Sequence, residues 1–379
     1  MPERPLAWAP VGSDALDLFL ELAAVPSPSG EERAVADRVL GYVRDLGLEP
    51  DEDDTGPKLG STIGNIYASL EATTGGEPLF FCAHLDTVPA VDEIEPVVED
   101  GIVRNARDAI LGADNKAAVV AMLEAVRRVL AEGREHAGIE LVFTSKEEVG
   151  LIGAAAFDHR RLRARVGYVY DQAEPIGGVI LGAPWGEHLD VTFHGRAAHS
   201  GMFPEDGRSA IVAAARAISE MRLGRVDENT TANIGMIEGG TAANIVPGRC
   251  SLVGEARSHD QRALAEQLQS MQDALTFAAG VAECEVETTI TKTYPGYRFA
   301  RDDLAVRLAG DGLGRCGFEP RYGFSGGASD ANAFNEHGLQ CVNLANGMAE
   351  IHTPDEHIAV ADIDAMVEVT LALVEAARA

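Results

Sequence analysis

Three short, mainly apolar runs constrain the fold of this chain: LFFCAH at 79–84, IELVFTS at 139–145 and VGYVYD at 166–171. A fourth, GNIYASL, stands at 64–70, and a helical pattern, NKAAVVAMLEAVRRVLAE, fills 115–132. Strands of this kind alternating with helices predict a largely parallel sheet covered on both faces. Upstream, SDALDLFLELAAV (13–25) and SGEERAVADRVLGYVRDLGL (29–48) read as amphipathic helices, the second opened by a Ser29–Glu32 capping box.

At 379 residues the chain exceeds the size at which one core usually stops growing, so two domains are expected. The pattern changes beyond about residue 183. EHLDVTFHG (187–195) alternates polar and apolar, as a strand with one solvated face does. A helix at 207–221 follows, then strands at 231–240 and 249–258, a helix from about Asp260 to Ala279, and a strand at 284–293. That order, β-α-β-β-α-β, is ferredoxin-like. After YPGY the α/β style returns. The expected organisation is an α/β domain formed by 1–183 and 297–379, with an α+β domain inserted at 184–296.

Ligands of open α/β sheets bind outside the carboxyl ends of the strands, so what each strand delivers there matters most. LFFCAH delivers His84 and Asp86, IELVFTSKEE delivers Glu147 and Glu148, and VGYVYD delivers Asp171. QCVNLANGMAEIH runs through a loop to His352, and GADNKAAVV sets Asp114 ahead of a helix N-terminus, where a carboxylate is favoured. Residues i and i+2 of a strand share a face, which puts Asp86 within reach of His84. A metal-bound imidazole commonly has its second nitrogen held by a carboxylate. A lone HxD carries little weight. Converging strand ends with two histidines and several acids carry much more. Mixed histidine and carboxylate donors suit zinc and, less selectively, manganese or cobalt. Two histidines with three carboxylates exceed one tetrahedral site and fit two ions sharing a bridge.

The formal charge of −29, from 31 basic and 60 acidic residues, argues against nucleic acid or an anionic membrane as partner. No apolar run approaches a membrane span, and MPERPLAWAP lacks the features of a signal peptide. The five cysteines (82, 250, 284, 316, 341) form no CxxC and fit reduced thiols in a cytoplasmic protein.

Taken together, HLDTV (84–88), LGADNKAA (111–118), KEEVGLIGA (146–154), RAAHSG (196–201), GGTAANIVP (239–247), EARS (255–258), SGGASDAN (325–332) and IHT (351–353) resemble the dinuclear-zinc exopeptidases that include peptidase T, carboxypeptidase G and acetylornithine deacetylase. The peptidase T-like branch is the most similar, and the motifs occur in family order over nearly the whole chain. The resemblance implies that His84 and Asp171 hold one zinc, that Glu148 and His352 hold the other, and that Asp114 bridges them. Asp86 would orient His84, and Glu147 would be the general base. The inserted domain would be a lid and dimerisation domain. His199 would reach the developing oxyanion, Asn244 and Arg257 would bind a terminal carboxylate, and Gly326 and Gly327 would wall the substrate. The implied cofactor is two divalent ions, zinc or else cobalt or manganese. The implied partners are a short peptide and a second copy of the chain.

Two positions depart from the pattern. Asn115 stands where relatives often carry an acid, and Glu174, close after Asp171, competes with it as a ligand. GFSGG (323–327) also satisfies the G-x-S-x-G pattern of serine hydrolases, with Asp355 and His357 downstream. Its preceding FEPRYG is a poor buried strand, however, and no oxyanion loop of the HGGG type is present. A deacylase or carboxypeptidase would share the same reaction centre. A binding protein on this fold should have lost a ligand or the base, and none is missing. The expected activity is aminopeptidase action on tripeptides.

Overall fold

The computed structural model describes residues 14–378. They form two compact units: one runs to Gly182 and resumes at Arg298, and the other spans Ala183–Tyr297.

The larger unit is built on a mixed sheet. Its central strands run Ile66–Leu70, Ile139–Thr144, Leu79–His84, Val166–Gln172, Gln340–Ala345 and Gly178–Ala183 in spatial order. Leu79–His84 pairs in parallel with both neighbours, and Val166–Gln172 pairs in parallel with Gln340–Ala345. Ile66–Leu70 and Gly178–Ala183 join antiparallel at the flanks. Every residue of Leu79–His84 and of Ile139–Thr144 is buried, as a strand covered on both faces requires.

The two faces are filled by alternate residues of the same strand. Phe81 packs with Tyr168 and Tyr170, at ring separations of 6.0 and 6.1 Å. Phe81 and both tyrosines belong to the core that includes the helices Ala113–Glu132 and Val360–Ala376. Phe80 faces the other way, onto Phe334 of the Asp330–Glu336 helix at 5.0 Å. His84 pairs in register with Thr144, and Ala345 with Gln172, so the carboxyl ends of four strands gather along one edge.

The expected capping box at Ser29 is not formed. The helix spans Arg33–Asp45, its N-cap is Glu32, and no side chain caps it. Ser29 and Glu32 spend their side chains elsewhere, as the next subsection describes.

The smaller unit is a five-stranded antiparallel sheet in the order Gly224–Arg225, Thr230–Gly239, Arg249–Ser258, Trp185–His194 and Glu285–Tyr294. The helices Ala210–Glu220 and Gln261–Val281 share one core with it, around Leu189, Phe193, Leu252, Leu264 and Met271. Side chains start both helices: Ser209 accepts from the Val212 amide, and Asp260 accepts from the amides of Arg262 and Ala263. This is the ferredoxin-like order read from the sequence. No helix among the described residues is long and apolar enough to cross a membrane.

Candidate metal centre

His84 closes its strand with a buried ring. Its Nδ1 lies 2.8 Å from the main-chain carbonyl of Asp86 and 3.5 Å from Asp86 Oδ1. A carbonyl only accepts, so Nδ1 carries the proton and, in the neutral ring, Nε2 keeps its lone pair. The shorter of the two contacts by which Asp86 holds the ring is thus the one to its carbonyl, with its carboxylate behind it. Nε2 stands 3.2 Å from Asp114 Oδ1 and 3.8 Å from Asp171 Oδ1. Across the cluster, His352 Nε2 lies 3.0 Å from Glu148 Oε1 and 3.2 Å from Asp114 Oδ2. The two oxygens of Asp114 are thus divided between two groups: His84 with Asp171, and His352 with Glu148. Ligating atoms of His84, Asp114 and Glu148 all fall within 4.8 Å of one another.

The Asp86 carboxylate is fully buried and has other work. Its Oδ1 accepts from the Glu147 amide at 2.9 Å, while Oδ2 accepts from the Glu148 amide at 3.1 Å and from Ser29 Oγ at 2.6 Å. Glu32, also buried, accepts from the amides of Gly30 and Lys146 at 2.7 and 3.2 Å, and from Ser61 Oγ at 2.8 Å. The loop bearing Glu147 and Glu148 has no ladder to satisfy its N–H groups, and these two carboxylates take that place. Its return is equally tight. A Cβ on Gly153 would lie 2.0 Å from the Ser145 carbonyl oxygen, so only glycine closes the loop there.

Asp171 is fixed by Asn343 on the adjacent strand. Its amide donates to Asn343 Oδ1 at 2.9 Å, and Asn343 Nδ2 donates back to its carbonyl at 3.0 Å. Glu174 is exposed and accepts from Gln172 Nε2 at 3.1 Å. Of the two acids, Asp171 is the one brought to the cluster. A further buried acid, Asp330, lies against the same strands. It accepts from Thr144 Oγ1 at 2.5 Å and from Cys82 Sγ at 3.6 Å, and burial pushes it up to about 6.

Charge explains what this arrangement wants. Burial, and then the neighbouring Asp114 charge, push Asp171 up to about 8. Burial and Asp171 push Glu147 well above the usual carboxylate range. Hydrogen bonds to Asp114 and then Glu148 raise His352 to about 10. Burial alone would lower His84 and raise Asp114. Hydrogen bonds to the carboxylates instead hold His84 high, and those from His352 and His84 hold Asp114 low. Four crowded carboxylates outnumber the two imidazoles that face them, and a divalent cation neutralises such a set with the donors it prefers. The residues present fit a metal site.

Comparison with known proteins decides the family. A model described as "Peptidase dimerisation domain" matches residues 187–283, and one described as "Peptidase family M28" matches 65–172. The chain is 38% identical to the uncharacterized protein YqjE of Bacillus subtilis, over 96% of this chain and 98% of that one. The solved structure of an aminopeptidase PepT from Bacillus cereus matches with TM-score 0.90 at 37% identity, covering 96% of this chain and 98% of the other. A tripeptidase from Staphylococcus aureus matches with TM-score 0.93 at 33% identity, with the same coverage. The chain belongs to the M20 metallopeptidases, in their peptidase T-like branch.

Other expected site residues of this M20 metallopeptidase lie in its smaller unit. His199 is exposed, in a two-residue strand paired with Ile245–Val246. Its Nδ1 accepts from the amides of Gly201 and Met202 at 3.2 and 3.1 Å, so the proton of a neutral ring sits on Nε2. Asn244 is exposed and its carbonyl accepts from the Ser200 amide at 3.0 Å, which ties its loop to that of His199. Arg257 donates to Glu255 Oε2 at 2.9 Å and lies over Tyr294, while its buried Nε has no hydrogen-bond partner among the described residues. In the larger unit, a Cβ on Gly326 would meet nothing within 4 Å, and one on Gly327 only Ser325 Oγ at 4.0 Å. Neither glycine is required by the chain's own packing.

The serine reading finds little support. Arg321–Phe324 does form a strand, parallel to Gly178–Ala183 at the sheet's flank. Ser325 Oγ, however, accepts from the Gly327 amide, and His357 Nδ1 is taken by the Asp355 carbonyl. No charge relay connects them among the described residues.

Proposed function

We propose that this M20 metallopeptidase is a dinuclear exopeptidase that releases the N-terminal residue of short peptides, tripeptides first. The observation that carries the reading is Asp114, whose two oxygens are divided between two histidine-and-acid groups. His84 and Asp171 would hold one ion, His352 and Glu148 the other, and Asp114 would bridge them. Two divalent cations, zinc by choice of donors, would supply the chemistry of an acidified water and a polarised carbonyl when bound there.

The rest is the work of side chains. Glu147 is buried, its amide is pinned by Asp86, and its carboxylate accepts no hydrogen bond from the described residues. Burial holds its proton affinity high, which suits a group that takes a proton from the attacking water and passes it to the leaving amine. By the family resemblance, the Nε2–H of His199 would be the donor for the oxyanion, and Asn244 and Arg257 would take the terminal carboxylate. Similarity to a PepT aminopeptidase and a tripeptidase over almost the whole chain favours an amino-terminal cut over deacylation.

The test is product analysis by mass spectrometry with one tripeptide and its N-acetylated twin, beside a chelated control. Release of the first residue from the free tripeptide only, abolished by chelation, is expected. Cleavage of the acetylated twin would move the chain to the deacylases, and activity indifferent to metal removal would revive Ser325.

The smaller unit is also where a homodimer would form. Gly224–Arg225 covers Thr230–Gly239 only at Thr231 and Ala232, so residues 233–239 present an open edge. On it Met236 and Ile237 are 64% and 55% exposed, a hydrophobic edge of the kind a second chain covers. Light scattering should give twice the 40.1 kDa chain mass, and a monomer would reject this assembly.

A further inference from the structure

Glu356 lies four residues beyond His352 and is 1% exposed. Its Oε2 accepts from the amides of Leu111 and Gly112 at 2.8 and 2.9 Å, and its Oε1 from the amide of Asp114 at 3.0 Å. We infer that Glu356 is a positioning residue that sets the bridging Asp114 in place and locks its loop to the loop carrying His352. The inference rests on the metal-centre reading of the previous subsection.

The backbone explains why a distant side chain is needed. The Ala113–Glu132 helix starts irregularly: Asp114 and Asn115 have non-helical angles, and Gly112 is left-handed at φ 79. N–H groups at a helix start lack internal partners, and an irregular start cannot recruit any by tightening. These are also buried residues, where water cannot take over. Glu356 supplies an acceptor for three of them, at the end of a helix dipole that favours negative charge.

The geometry then couples two ligands. Asp114 is held through its own amide, and its Oδ2 faces His352 Nε2 at 3.2 Å. His352 sits on a loop with φ 65, closed behind it by the Ala349–His357 bridge and by Glu356 itself. One carboxylate therefore fixes both the bridging acid and the base of the loop that presents the facing histidine. Lys116, fully buried, donates to the Val25 carbonyl at 2.6 Å and so leaves the oxygens of Glu356 to the three amides.

Glu356→Gln is the discriminating substitution, since it keeps the shape. If the amide oxygen stays on Leu111 and Gly112, which preserves two bonds, the new NH2 confronts the N–H of Asp114. Metal-free wild type and variant would be titrated with Co2+ and followed by the visible d–d spectrum, with thermal melting of the metal-free proteins alongside. Outer-shell carboxylates typically contribute 10–100-fold in metal affinity. The expected result is at least tenfold weaker binding of cobalt and an altered d–d envelope, with a metal-free protein that melts several degrees lower, as one orphaned N–H requires, but is still folded at the titration temperature. Glu356→Ala should weaken cobalt binding further. Wild-type cobalt affinity and spectrum in Glu356→Gln would overturn the inference and leave the metal centre standing. Absence of cobalt binding by the wild type would overturn both.

Discussion

Replacing Asp86 by Asn tests the support of the site without touching a proposed metal ligand. In the native chain this carboxylate accepts from Glu147 N, Glu148 N and Ser29 Oγ, all out of water. Asparagine keeps the size but offers only one oxygen. In its best pose that oxygen remains on Glu147 N and the new NH2 donates to Ser29 Oγ, whose hydroxyl can turn. The same NH2 then faces the N–H of Glu148, which is left without an acceptor. An orphaned buried N–H costs about 1–3 kcal/mol, and two surviving bonds that lose charge assistance cost about 1 kcal/mol each. The total is roughly 3–5 kcal/mol, which corresponds to a fall of roughly 4–6 °C in melting temperature for a chain of this size. Melting of the metal-free protein by calorimetry isolates this term from any loss of metal. Turnover should fall by about a hundredfold or more, because the displaced peptide units carry both Glu147 and Glu148. A variant that melts within 2 °C of wild type and keeps its turnover would refute the claim that Asp86 holds this loop.

The remaining expectations concern separate parts of the molecule. Glu147→Ala should abolish turnover yet leave two metal ions per chain by elemental analysis, and near-full activity would reject Glu147 as the base. Ser325→Ala should leave kcat within about twofold of wild type, since its hydroxyl only receives the Gly327 amide. His159 stacks on His337 at 3.9 Å beside Phe157 and Phe334, and burial, then the His337 charge, hold it down to about 4. Asp158 and Glu336 pull weakly the other way. The unfolded chain therefore binds the extra proton first, and this contribution is complete above about pH 6.5 and lost as pH falls toward 4. Allowing for partial solvent screening, it is worth about 1–2 kcal/mol. His159→Phe should flatten the stability profile across that window, and an unchanged acid limb would remove His159 from the account.

The architecture was legible because it rests on periodicity and on where buried strands stop. Uninterrupted burial of Leu79–His84 and Ile139–Thr144 is the direct counterpart of their apolar runs, and the half-buried Trp185–His194 strand is that of its alternation. The nearness of His84 and Asp171 was legible for the same reason, since neighbouring parallel strands put their last residues side by side. Asp114, at a helix start, and Glu148 and His352, on loops past their strands, were legible from the motifs that contain them. The supports were not. Ser29 and Glu32 match a local capping pattern, and a local pattern is all that a sequence displays. A helix start near solvent can use water, whereas the amides of Lys146, Glu147 and Glu148 lie in or beside the buried site, so the carboxylates go to the loop instead. Asn343 and Glu356 left a trace only as polar residues near a ligand, because their partners lie 172 and 242 to 245 positions away.

The insertion of one unit inside another sets a schedule for the ribosome. The smaller unit, Ala183–Tyr297, is contiguous and carries its own core, so it can fold as soon as it emerges. The larger unit must wait: Val166–Gln172 has Leu79–His84 on one side but lacks its second parallel neighbour until Gln340–Ala345 is synthesised, and His352 comes later still. A chain halted anywhere before that point holds a finished smaller unit and a half-built sheet without His352. The proposed metal centre can therefore assemble only after both stretches flanking the smaller unit have been made.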